Sequence, residues 1–121
     1  MNISFLLGKT ISDIQMDRQH IIFTLDDGTR YVMYHRQDCC ERVIIEDIDG
    51  DLQDLVGSPL LQAEESSNRD FRPYTEYDDS VTWTFYKLAT INGYVTIRWC
   101  GSSNGYYSES VSFDLADDAG Y

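Results

Sequence analysis

The sequence predicts an α+β fold that is mainly antiparallel β: a curved sheet of about six strands with one short helix. Two observations carry this. Residues 20–26 alternate so that Ile21, Phe23 and Leu25 share one face, and Asp27-Gly28 follows as a tight-turn dipeptide before a Tyr- and Val-rich return over 30–35. Two Asn-Gly pairs, Asn92-Gly93 and Asn104-Gly105, punctuate a β-forming stretch from 81 to 113.

The elements follow in chain order. Residues 9–17 read as a short strand with Ile11 toward the core, and 20–26 with 30–35 as a hairpin. Val43-Ile44-Ile45 is a β-branched run that ends at Asp49-Gly50. Residues 51–56 read as one or two helical turns, acidic at the start and stopped by Gly57 and Pro59. Residues 60–65 read as a strand. Residues 66–80 hold Asn68, Pro73 and Asp78-Asp79 without an apolar period and form the one long loop. Residues 81–91, 94–100 and 106–113 make a three-stranded meander, and an acidic tail beyond Leu115 frays. A chain of 121 residues fits a single domain, 1–121.

Composition narrows the class. Apolar content of 42% and nine Tyr support one modest core rather than disorder. The net charge of -12 repels nucleic acid and anionic membranes, and steers a partner protein that carries a basic surface. No stretch reaches the roughly 20 apolar residues of a membrane helix, and residues 1–8 lack the basic start of a signal peptide. Three cysteines, two of them adjacent at Cys39 and Cys40, point to a reducing cytoplasm rather than a disulfide framework.

Few constellations carry chemistry. A two-residue turn at Asn92-Gly93 sets Leu88 against Ile97 and Tyr86 against Trp99, and on the other face Lys87 against Arg98. Two cations across a ladder cost a fraction of about 1 kcal/mol, so a compensator is expected. Glu109 on the next strand, or an acidic residue from elsewhere in so anionic a chain, serves that role. The alternative is an anion pocket, in which Lys87 and Arg98, with Tyr94 or Trp83 to stack a base, sequester a nucleotide immune signal.

His35, Asp38, Cys39, Cys40 and Glu41 crowd metal-ligand types into seven residues, but the second pair of a zinc site is missing, so neither metal nor cofactor is expected. The same run lacks an orienting signature for a nucleophilic cysteine. Asp47, Asp49 and Asp51 resemble the front of a calcium loop, yet its sixth and twelfth places are Leu52 and Ser58, so capping of the next helix is the better duty. Phosphate-cradling loops, GxSxG and HExxH are all missing from the sequence, and no enzyme is expected.

The acidic residues themselves are the strongest signal. Asp38, Glu41, Glu46, Asp47, Asp49, Asp51, Asp54, Glu64 and Glu65 face Arg42 alone within residues 38–65, a net charge of -8. Gathered on one surface, the first seven would imitate a phosphate backbone and dock on a basic cleft.

Several motifs carry a resemblance. Tyr34-His35 with Gln37-Asp38-Cys39-Cys40-Glu41, Ile45-Glu46-Asp47-Ile48 with Gly50-Asp51-Leu52, Trp83-Thr84-Phe85-Tyr86-Lys87, Ile97-Arg98-Trp99 and Ser103-Asn104-Gly105-Tyr106-Tyr107-Ser108 are among them. Together they resemble an uncharacterised family of small proteins encoded by phages and prophages. The resemblance implies a viral or mobile-element setting, in host cytoplasm. Small acidic proteins of that setting are often inhibitors of host defence proteins, of anti-CRISPR or anti-restriction type, which makes such an inhibitor the functional expectation by analogy.

Overall fold

The computed structural model describes residues 1–70 and 80–121. Its strands are β1 (Ile11–Met16), β2 (His20–Leu25), β3 (Arg30–Tyr34), β4 (Arg42–Asp49), β5 (Gln62–Asp70), β6 (Ser80–Thr90), β7 (Gly93–Ser103) and β8 (Ser112–Leu115). They form two four-stranded sheets, ordered β1-β2-β3-β8 and β4-β7-β6-β5, with every neighbouring pair antiparallel. The fold is therefore mainly β rather than α+β, and two sheets replace the single curved sheet of six strands. The expected helix is one 3-10 turn, Leu52–Leu55, and Asp51 caps it by accepting the Gln53 N–H at 2.9 Å. Residues 71–79, the heart of the expected long loop, lie outside the described residues. Its flanks are strand: Ser66 and Asn68 of β5 stand opposite Phe85 and Trp83 of β6.

Alternation explains the two layers. In β7, Val95, Ile97 and Trp99 point inward with Tyr86 and Leu88 of β6 and Val43 and Ile45 of β4. They share one core with Ile21, Phe23, Tyr31, Met33 and Phe113 of the first sheet. Trp99 is fully buried, and its indole N–H points at Met33 Sδ, 3.2 Å away. The first sheet is apolar on its other face as well, where Ile22, Val32 and Tyr34 need a cover. Residues 116–121 supply it: Ala116 is buried there, Ala119 packs alongside, and the Tyr121 N–H donates to the Ala116 carbonyl at 2.8 Å. The tail expected to fray is a cap.

Two readings of the C-terminal third are corrected. The β6–β7 turn uses Ile91-Asn92, with Thr90 opposite Gly93, so Leu88 opposes Val95 and Tyr86 opposes Ile97. Lys87 then faces Thr96 and Arg98 faces Phe85, which removes the expected cation pair across the ladder. The slip is two residues and leaves each side chain on its expected face. Gly93 is needed just after the turn, at φ +153°, where an added Cβ would stand 2.9 Å from Asp54 Oδ2. Nor does β8 complete a meander. Both edges of β7 are taken by β4 and β6, so β8 pairs with β3, and Phe113 enters the core with its ring stacked 5.4 Å from that of Tyr31.

The chain thus changes sheet twice, over residues 35–41 and 104–111, at the same end of the molecule. The second crossing passes so close over Gly101 that a Cβ there would meet the Glu109 carbonyl oxygen at 2.6 Å and Glu109 Cβ at 2.8 Å. Gly101→Ala should therefore lower stability by about 1–3 kcal/mol, read as a shifted midpoint in urea unfolding. An unchanged midpoint would mean that this crossing is not held against β7.

Candidate functional site

The first crossing is organised by one carboxylate. Glu41 is buried just ahead of β4, where Oε1 accepts the Cys39 N–H at 2.8 Å and Oε2 the Asp38 N–H at 2.9 Å. His35 Nε2 reaches Oε2 at 2.7 Å, while its Nδ1 lies 2.7 Å from the Ser110 carbonyl of the second crossing. Both imidazole nitrogens face acceptors, and the imidazolium form satisfies both. Gln37 Nε2 donates to the Glu41 carbonyl at 2.6 Å and closes the loop. The Cys39 N–H first, and His35 second, hold the Glu41 carboxyl down to about 2. Glu41 is thus internal and presents no charge to a partner. Cys39 and Cys40, expected as thiols, are joined by a disulfide at the exposed tip of the loop.

The second crossing repeats the device. Glu109 is buried, and it accepts from the hydroxyls of Thr82 at 2.6 Å and Ser80 at 3.1 Å, and from that of Ser103. Arg69 Nε donates to Ser80 Oγ at 3.1 Å. Glu109 therefore does not serve Lys87 and Arg98, as the meander implied. Beside it lies a polar groove of about 350 Å³, bounded by Glu65, Ser67, Arg69, Thr84 and Tyr107. Tyr86 donates its hydroxyl to Glu65 Oε1 at 3.0 Å, and burial pushes its phenol well above the usual tyrosine range.

The remaining predicted acids divide by place. Glu46, Asp47, Asp49 and Asp51 are exposed and Asp54 is half-buried. They follow one another from the irregularity between Ile45 and Asp47, down the edge strand β4, to the capped turn. Among the described residues none of the five makes an ion pair within 4.0 Å. Asp38 is exposed but precedes β4, whose eight residues span about 25 Å. Five of the seven partner-facing candidates gather.

Lys87, Arg98, Tyr94 and Trp83 share the outward face of the second sheet. The Arg98 guanidinium lies 5.3 Å from the centroid of Trp83, Tyr94 is 69% exposed, and Lys87 has Glu64 of β5 opposite. Among the described residues, none of the four lines any of the five principal cavities.

One group was missed altogether. Arg36 and Arg42 line a furrow of about 510 Å³ and Arg18 with Arg42 line its neighbour. The signal existed: Arg18-Gln19-His20 and His35-Arg36-Gln37 flank the β2–β3 hairpin, whose register sets His20 against Tyr34 and so brings both triplets to one end.

The Glu41 geometry fixes a sign for pH. Its folded value lies below the ordinary carboxylate range, so its stabilising contribution is present above about pH 4.5 and is lost as pH falls through about 2. Glu41→Gln should be less stable than the parent at neutral pH, with the difference shrinking across that acid window in urea titrations. A difference independent of pH would remove the charge from the account.

No curated protein and no solved structure matches the chain. A family model described as a domain of unknown function, DUF7448, matches residues 4–113, from within a 3-10 turn at Ile3–Leu6 to Phe113 of β8. By that match, the chain belongs to the DUF7448 family.

Proposed function

We propose that this chain is a non-enzymatic binding protein that lays the acidic edge Glu46–Asp54 against the basic surface of a partner protein and so inhibits it. The carrying observation is that five carboxylates follow one another along a sheet edge without an ion pair among the described residues. Asp47 and Asp49 lie on one face of β4, roughly 6–7 Å apart by strand geometry, so their fields add, and Arg98 of β7, which stands opposite Asp47, makes no ion pair with it within 4.0 Å. The resemblance to phage-borne proteins directs the choice of partner toward a bacterial defence protein with a nucleic-acid-binding cleft, of the anti-CRISPR or anti-restriction kind. In that cleft the carboxylates take the place of phosphates.

The nucleotide-sponge reading has less behind it. Lys87, Arg98, Tyr94 and Trp83 do share a face, but among the described residues they line none of the principal cavities, whereas small-molecule sites are concave.

The test is a pull-down from bacterial lysate followed by affinity measurement against the captured protein. Reversing Asp47, Asp49 and Asp51 to Lys should weaken binding by at least about 100-fold, and raising salt from about 50 to 500 mM should weaken the parent complex steeply. A complex indifferent to salt and to the triple reversal would refute the acidic-edge reading.

A further inference from the structure

We infer that the chain carries a second site, which meets the acidic edge at Glu46: an arginine-lined furrow that binds a phosphate ester of nucleotide size. The furrow runs between residue 19, the end of β3, the start of β4 and the cap 116–121, and holds about 510 Å³. A smaller cavity of about 160 Å³ adjoins it, since both are bounded by Arg42 and Ile44. Arg36 and Arg42 stand in the first, Arg18 and Arg42 in the second. The combined volume falls in the range of small-molecule pockets.

The charge inventory singles this place out. The chain has 21 acids and nine Lys and Arg, so an arginine without a carboxylate partner is unexpected. Yet among the described residues none of Arg18, Arg36 and Arg42 is ion-paired. Among the described residues the guanidinium of Arg36 donates to the Tyr34 hydroxyl alone, at 3.3 Å, and lies 5.9 Å from the Tyr34 ring. Two side-chain carboxylates border the cavities. Glu41 is occupied by His35 and two backbone N–H groups, and Glu46 lies in the smaller cavity with Arg18. Three guanidiniums against one uncommitted side-chain carboxylate leave a local excess of positive side-chain charge in an acidic molecule.

The walls match the rest of such a ligand. Tyr121 is 40% exposed and offers its ring at the rim. The centroid of that ring lies 4.8 Å from that of His20 and 5.6 Å from that of Tyr34. Arg30 fixes the Tyr121 backbone by donating to its carbonyl oxygen at 3.2 Å, and Tyr34 is itself anchored to Asp114 Oδ2 at 2.9 Å. Guanidiniums recognise phosphate oxygens in a planar, often two-point manner, and a fixed aromatic face stacks a base. The long-range repulsion of the net charge is screened beyond about 10 Å at 0.1 M salt, so the local field decides binding once a ligand is near.

The experiment is calorimetry on the intact protein in about 50 mM salt, with ADP, pyrophosphate and adenosine as probes. ADP should bind, pyrophosphate about tenfold more weakly, and adenosine should give no heat. Pyrophosphate binding as tightly as ADP would still support the arginine site while assigning it to free phosphates. Arg36→Gln with Arg42→Gln should weaken ADP by more than about tenfold, whereas Lys87→Gln with Arg98→Gln should leave it within about twofold. If the arginine double variant does not fold, Arg18→Gln, an exposed position outside the strands, repeats the test at a single charge. Silence from ADP and pyrophosphate at millimolar concentration would overturn the inference, as would undiminished binding by the arginine variants.

Discussion

Everything in this molecule depends on two sheets burying their inner faces against each other around Trp99. That arrangement obliges the backbone to leave one layer for the other, and each departure brings polar peptide groups to the edge of an apolar core. Buried N–H and hydroxyl donors left without partners there would each cost on the order of 1–3 kcal/mol. A carboxylate, which only accepts, is the efficient remedy, since its two oxygens can take several donors at once. Glu41 does this for the backbone of the first crossing and Glu109 for the hydroxyls around the second. Two of the acids that make the chain look like one long anion are thus internal struts.

The other charges are sorted along β4. The strand begins at Arg42, beside the furrow, and ends at Asp49, within the acidic edge. Its length, about 25 Å, exceeds the Debye length of about 8 Å at physiological salt. Arg42 and Asp49 therefore sit in separate electrostatic surroundings, with Glu46 between them, and the formal charge of the whole chain describes neither.

The hairpins were legible because alternation and turn dipeptides are local: Ile21, Phe23 and Leu25 announce β2, and Asp27-Gly28 its return. The register at Ile91-Asn92 was not, because Gly93 serves the close approach of Asp54 instead of occupying the turn itself. The partner of β8 could not be read either. Four residues, Ser112–Leu115, carry no mark that distinguishes β3 from β7, and the choice rests on which edges are already filled. For the same reason Glu41 looked like Glu46 in sequence: only burial separates a strut from a surface charge. The arginines were scattered over positions 18 to 42 and became a group through the pairing of β2 with β3.

His35 touches both crossings, Glu41 on one side and the Ser110 carbonyl on the other. Neither loop can therefore change its path without unseating the other. Over evolutionary time the two segments should drift as a linked pair, so that novelty in this family accumulates elsewhere, on the faces and edges that no shared histidine restrains.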